Sequence, residues 1–316
     1  MKRIALRLLT VLALLLSLCV LSANAQTNAV PANAYLFSYF TGNGEDGLHL
    51  AWSRDGYKWE ALNGGKSYLK PEVGESKLMR DPCLLREPDG TFHMVWTTAW
   101  WGKTVGYASS KDLIHWSEQQ ALPVMADEPA AKNCWAPEIV WDDKRSEFLI
   151  FWATTVTNKF LETANSGDNN HRIYATTTKD FKSFTPTRLF YDPGFNVIDA
   201  TMLHALDRFY LIVKDETRNP PKKHLRIASS DDIEGPFTNL SAPFTRDWVE
   251  GPTAIKIGED YVVYFDGYTA HRYEAMRSHD LKTWQDITPE ISFPKGTRHG
   301  TALMVPGSVV EKLLAP

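Results

Sequence analysis

Short apolar runs separated by polar turns fill most of the chain, and they follow the two-residue period of strands. Phe92, Met94 and Trp96 alternate with polar or smaller residues directly after the turn Pro88-Asp89-Gly90. Phe148 to Trp152 is a continuous apolar run after the polar group Asp142 to Ser146. Phe209 to Val213 follows Asp207-Arg208, and Tyr261 to Phe265 follows Gly258-Glu259-Asp260. Runs of this length, rich in β-branched and aromatic residues and bounded by turn chemistry, predict strands. No stretch predicts a long amphipathic helix, so the expected fold class is all-β.

A polar-then-aromatic phrase recurs between these runs. It reads Ser53-Arg54-Asp55-Gly56-Tyr57-Lys58-Trp59, then Ser110 to Trp116, Thr178 to Phe184, Ser230 to Phe237 and Ser278 to Trp284. Successive copies start 57, 68, 52 and 48 residues apart. Each predicts a tight turn in which the Asp binds its own backbone and the closing aromatic packs on a sheet. Four-stranded units repeating at this spacing predict a β-propeller, and five copies predict five blades. The ends of the chain fit the same count. His299 to Val305 is an inner strand without the rest of its blade, and Ala34 to Trp59 supplies outer strands without an inner one. Joined, they close the ring and remove its exposed edge.

The chain has 316 residues, with 34 Lys+Arg against 38 Asp+Glu. The net charge of −4 argues against nucleic acid as a partner. Residues 1–25 predict a cleaved secretory signal peptide: Lys2, Arg3 and Arg7 precede the apolar run Leu8 to Val20, and Ala23-Asn24-Ala25 forms the cleavage site. The apolar run is too short to span a membrane. A lipoprotein signal at Cys19 is disfavoured by bulky Leu18. The expected product is residues 26–316, a single propeller domain that is secreted or periplasmic. Its two cysteines, Cys83 and Cys134, are read either as a disulfide, which export permits, or as two buried thiols.

The five candidate inner strands open on residues that a plain sheet would not choose. They begin Arg80-Asp81-Pro82, Trp135-Ala136-Pro137-Glu138, Ile198-Asp199-Ala200, Glu250-Gly251-Pro252 and Arg298-His299-Gly300. A carboxylate leading a buried strand is costly unless it is paired, solvated or used. In this order, on a five-fold repeat, these motifs resemble glycoside hydrolase family 43, five-bladed propellers that remove arabinose, xylose or galactose from plant glycans. The resemblance implies Asp81 as general base, Glu250 as general acid and Asp199 as the residue that tunes and orients the acid. It attaches no required cofactor; it implies a calcium or other ion in the central channel beside His299, and an oligo- or polysaccharide as partner.

An inverting glycosidase needs one protonated and one ionised carboxyl group with a water between them, roughly 6.5–9.5 Å apart. A negative Asp199 beside Glu250 is expected to help the acid keep its proton. Trp100 and Trp101, in a loop expected to face the pocket, together with Trp135 and Arg298, are the candidate substrate contacts. Glu138 lies deeper along its strand and is read as structural. Glu234-Gly235-Pro236 repeats the letters of the acid motif inside a turn phrase and is assigned to the turn. The expected activity is release of α-L-arabinofuranose by exo action, with the insertion Thr154 to His171 walling the channel. The alternatives are a β-xylosidase, endo-arabinanase or galactosidase of the same family and, in a different class, a non-catalytic sugar-binding propeller. Sugar identity rests on loop shape, which the motifs do not encode.

Overall fold

The computed structural model describes residues 29–164 and 169–315. The signal peptide, its cleavage site and Cys19 lie outside the described residues. From the N-terminus, β1 (Asn33–Tyr39), β2 (His49–Ser53) and β3 (Glu60–Ala61) form the outer part of the closing blade. The first blade is β4 (Arg80–Arg86), β5 (Phe92–Thr97), β6 (Val105–Ser110) and β7 (Gln120–Leu122). The second is β8 (Trp135–Asp142), β9 (Glu147–Thr155), β10 (His171–Thr178) and β11 (Arg188–Tyr191). The third is β12 (Val197–Ala205), β13 (Arg208–Asp215) and β14 (His224–Ser230). The fourth is β15 (Glu250–Ile257), β16 (Asp260–Gly267), β17 (Arg272–Ser278) and β18 (Gln285–Asp286). The last strand, β19 (Gly300–Pro306), pairs antiparallel with β1 and becomes the inner strand of the closing blade. The five-bladed ring and its mode of closure are those the repeat predicts.

Alternation along each strand explains how the blades cohere. Phe92, Met94 and Trp96 of β5 pack with Leu36, Leu50 and Trp52 of the closing blade, while Val95 between them faces the second blade. In β9 the odd and even residues likewise divide: Phe148, Ile150 and Trp152 turn to the first blade, Leu149, Phe151 and Ala153 to the third. A sheet buried on both faces needs a continuous apolar run, which is why Phe148 to Trp152 carries no polar residue. Each neighbouring pair of blades encloses one such cluster.

The turn phrases are built as expected. Asp55 Oδ1 accepts the backbone N–H groups of Tyr57 and Lys58 at 2.7 and 3.0 Å, and Asp112, Asp180 and Asp280 do the same for the residues two and three positions on. Leu113, Phe181 and Leu281 take positive φ in these turns and are buried.

Two features depart from the sequence reading. The third blade has three strands; beyond β14 only the bridge Ser229↔Thr238 and scattered backbone bonds continue it. Pro236, Pro243 and the left-handed Asn239 interrupt what would be its fourth strand. A short helix, α1 (Gly307–Leu314), follows β19 and packs Val310 and Leu313 into the cluster between the closing and first blades. Cys83 and Cys134 are buried free thiols. Among the described residues no helix is long and apolar enough to cross a membrane.

Candidate active site

Four of the five inner strands carry the same irregularity near their start. Between Arg80 and Cys83, Trp135 and Glu138, Ile198 and Thr201, and Glu250 and Thr253, three positions of the inner strand advance against two of its partner. At each bulge one residue adopts left-handed backbone: Asp81 (φ 50°), Ala136 (φ 44°), Asp199 (φ 51°) and Gly251 (φ 58°). Bulges re-aim the side chains around them and recur beside active sites. Asp tolerates this conformation better than most residues, and in two blades the bulged position is itself a carboxylate. In the fourth blade it must be glycine, because a Cβ on Gly251 would stand 2.4 Å from Cγ of His299.

Aligned on the bulges, the inner strands present levels down the channel. The mouth holds Arg80, Trp135, Ile198 and Glu250; below lie Asp81, Ala136, Asp199 and Gly251; deeper still lie Cys83, Glu138, Thr201 and Thr253. Arg298 and His299, just before β19, complete the upper two levels: Arg298 Nη2 is 3.0 Å from Glu250 Oε1, and His299 Nδ1 is 3.2 Å from Asp81 Oδ1. Asp81, Asp199, Glu250 and His299 line one pocket of about 240 Å³, with Trp100, Trp135 and Lys214 among its other walls.

Asp81 also accepts the Thr97 hydroxyl at 2.8 Å, and the same oxygen of Thr97 accepts the Ala136 N–H of the next blade. Burial alone would raise the Asp81 carboxyl. The His299 hydrogen bond and charge, helped by Arg80 and Thr97, outweigh it and hold the pKa at about 2. His299 responds in the opposite sense: burial pulls its pKa down, but Asp81, Asp199 and Glu138 raise it to about 9. Asp199 Oδ2 accepts the Gly251 N–H at 3.0 Å. Burial pushes its carboxyl up to about 6; Glu250 and Asp81 add to the rise, and His299 and Lys214 oppose it.

Glu250 has cationic partners on both oxygens. Lys214 Nζ lies 3.0 Å from Oε2 and Arg298 Nη2 lies 3.0 Å from Oε1. The Lys214 side chain is 3% exposed and also meets Glu216 at 2.9 Å. Burial opposes its charge, but Glu250, Glu216 and Asp199 raise its pKa well above the ordinary lysine range. Arg298 Nε pairs with Asp266 at 2.5 Å. Lys214 and Asp266 occupy equivalent positions in β13 and β16, each opposite a mouth residue of its own blade; Lys214 reaches Glu250 at the start of β15, and Asp266 reaches Arg298 just before β19.

The structure therefore brings the three carboxylates together. It adds Lys214, which the sequence reading missed because it stands at the end of the apolar run of β13, where a lysine ordinarily meets solvent. Trp100 lines the pocket and is 47% exposed; its Nε1 donates to Asn43, and Arg80 lies 4.3 Å from its ring. Trp135 lines the pocket with Nε1 donating to the Trp100 carbonyl. Trp101 packs 5.8 Å from Trp135 but does not line the pocket. Arg298 backs Glu250 and likewise stands outside the lining. Glu138 lies in the deeper level, where burial raises its carboxyl to about 7 and Cys83 Sγ is 3.5 Å away. Glu234 pairs with Arg188 and Arg145 at the outer turn, remote from the pocket.

The insertion Thr154 to His171 falls partly outside the described residues; its described part is tied down by Arg172, which binds Thr163 and Asn170. For the ion that the resemblance attaches to His299, no ligand set is found: among the described residues no three His, Cys, Asp or Glu side chains are arranged to hold a metal. The His299 Nδ1 is engaged by Asp81.

A family profile described as "Probable glycosyl hydrolase domain" matches residues 31–309. An α-L-arabinofuranosidase of Bifidobacterium longum subsp. longum is 21% identical over 280 residues, covering 74% of this chain and 26% of that protein, so the chain spans about a quarter of its relative. Among solved structures, α-L-arabinofuranosidase from Lactobacillus brevis superposes with a TM-score of 0.54 at 17% identity, over 66% of this chain and 72% of that one. A thermostable family-43 glycoside hydrolase gives 0.51 at 16%, over 66% and 71%. An exo-β-1,3-galactanase from Phanerochaete chrysosporium gives 0.53 at 15%, over 72% and 52%. At these identities the structural likeness speaks for the fold. With a profile match that runs from the first strand of the ring into the helix after its last, the chain belongs to glycoside hydrolase family 43.

Proposed function

We propose that the protein is an inverting glycosidase that releases a terminal α-L-arabinofuranose from a plant-type glycan. One observation carries the reading: Asp81, Asp199 and Glu250 line a single pocket of about 240 Å³. That volume is below the ~300–1,000 Å³ usual for larger small-molecule ligands and suits one sugar ring held at its end. The choice of sugar is supported by the names of the Bifidobacterium and Lactobacillus relatives.

Asp81, ionised across the working range, serves as the base that takes a proton from the attacking water. Thr97 and His299 hold its two oxygens and fix its direction. Glu250, at the mouth, gives a proton to the leaving oxygen. Asp199 keeps a proton up to about pH 6 and binds the amide of the residue next to Glu250. Lys214 and Arg298 hold the Glu250 carboxylate that forms once the proton has been transferred.

The acid assignment is tested by comparing leaving groups. Glu250→Gln should lower kcat/KM about 10²–10⁴-fold on natural linkages and far less on dinitrophenyl arabinofuranoside, whose leaving group needs no proton. Equal losses on both would contradict it. Nitrophenyl arabinofuranoside, xyloside and galactoside compared side by side identify the sugar. Binding without turnover of any glycoside would favour the non-catalytic alternative.

A further inference from the structure

The proposed reaction uses the acids of the pocket and leaves two of its arginines, Arg80 and Arg218, without a task. The acids already have cations. Asp81 is paired with His299, Glu250 with Lys214 and Arg298, and Glu216 with Lys214 and Lys223. Asp199, the remaining acid, keeps a proton up to about pH 6 and lies in the field of His299 and Lys214. Arg80 and Arg218 line the same pocket, and among the described residues neither forms an ion pair.

Arg80 is nonetheless held in a fixed place. Its Nη1 donates to Asn43 Oδ1 at 2.9 Å, and its guanidinium lies 4.8 Å from the Phe40 ring and 4.3 Å from the Trp100 ring. Asn43 is positioned in turn by the exposed Glu45, which accepts both its backbone N–H and its side-chain amide. Among the described residues, Nε and Nη2 of Arg80 have no hydrogen-bond partner. A guanidinium packed on rings, with part of its donor fork open, is suited to receive two oxygens of one anion.

Arg218 comes from the third blade, two blades round the ring. Lys214, near the end of β13, stands opposite Ile198 at the mouth, so the turn that follows β13 lies on the face where the pocket opens. Glu216 anchors this turn between Lys214 and Lys223, and the Lys222 N–H closes it on the Thr217 carbonyl at 3.0 Å. Arg218 is its exposed tip. The crowding of cations is felt at Lys223. Burial, with Lys214 and Arg218 beside it, holds that amine below the ordinary lysine range although Glu216 pulls the other way.

Resting on the reading of this pocket as a glycosidase site, we propose that Arg80 and Arg218 bind an anionic group on the glycan, a uronate carboxylate or a sulfate ester, at the pocket mouth. Arabinofuranose has no such group, so the anion belongs to the sugar that carries it. The substrate is then an acidic glycan, and the two arginines select it.

Equilibrium binding tests this without turnover, using full-length Asp81→Asn protein, since Asn also tolerates the left-handed backbone of that position. Two matched pairs of probes are titrated calorimetrically. One is arabinogalactan oligosaccharides bearing glucuronate against the same preparation after carboxyl reduction; the other is sulfated galactan oligosaccharides against the same after desulfation. In at least one pair the acidic member should bind at least about tenfold tighter at low salt, and added salt should shrink the advantage. The pair that shows it identifies the group as carboxylate or sulfate. Arg218→Gln, at an exposed turn, should remove most of the acidic-to-neutral affinity ratio, as should Arg80→Gln, and Arg218→Lys should restore only part of it. Equal affinities within both pairs overturn the proposal, as does a ratio that survives Arg218→Gln and Arg80→Gln, or a failure of every probe to bind. Wild-type turnover is read separately. A charge preference without hydrolysis of any glycoside leaves the arginine site standing and removes the glycosidase reading; hydrolysis without the preference does the reverse.

Discussion

At the scale of single residues, the proposed proton donor Glu250 and its neighbour Asp199 stand among opposing charges. Lys214→Met removes a buried cation that lies within 3.0 Å of Glu250 and 2.9 Å of Glu216. Lys214 holds the Asp199 carboxyl down, so without it Asp199 keeps its proton to higher pH and the alkaline limb of the kcat/KM profile should move up. Asp199→Asn removes a negative neighbour and should move the same limb down. Shifts in the same direction would contradict this electrostatic account. Lys214→Met should also lower stability by about 3–5 kcal/mol, the cost of breaking a buried ion pair from one side, as measured by denaturant unfolding. Asp81, Asp199 and Glu250 were legible in the sequence because an acid leading a buried strand is conspicuous. Lys214 was not, because its partner belongs to the next blade and no local pattern records that contact.

At the scale of elements, the repeated turn and the repeated bulge differ in the same way. The turn phrase could be read directly, since Asp55, Asp112, Asp180 and Asp280 bind amides only two and three residues away. The bulges at Asp81, Ala136, Asp199 and Gly251 depend on how each inner strand registers with its partner, and sequence spacing does not contain that information. The missing fourth strand of the third blade and the eight-residue helix α1 escaped for related reasons: one depends on two prolines in an otherwise strand-like segment, the other is shorter than a periodic signal requires. The turn after β2 also joins blades. Gly56 has φ 80°, and a Cβ there would stand 2.3 Å from Ile257 Cδ1 in the fourth blade. Gly56→Ala should destabilise the protein by about 2–4 kcal/mol through left-handed strain and overpacking. A thermal melt unchanged from wild type would show that this contact can relax.

At the scale of the whole molecule, the ring is closed by β19 on β1, paired from Asn33↔Pro306 to Tyr39↔Gly300. Closure both removes the last sheet edge and delivers Arg298 and His299 to the channel. A chain ending at Thr297 should lose its cooperative melt as well as its activity, as followed by circular dichroism; a melt within a few degrees of wild type would contradict the role of closure. The ring was legible from five copies of one phrase, whereas the choice of sugar was not, because the pocket is shaped by loops and by contacts between blades. The central claim is that water activated by Asp81 attacks from the side opposite the proton donor. Proton NMR of the first sugar released by the wild-type enzyme tests it most directly. The account predicts that the anomer first formed has the configuration opposite to that of the substrate, mutarotating afterwards, whereas a first-formed anomer of retained configuration would contradict it.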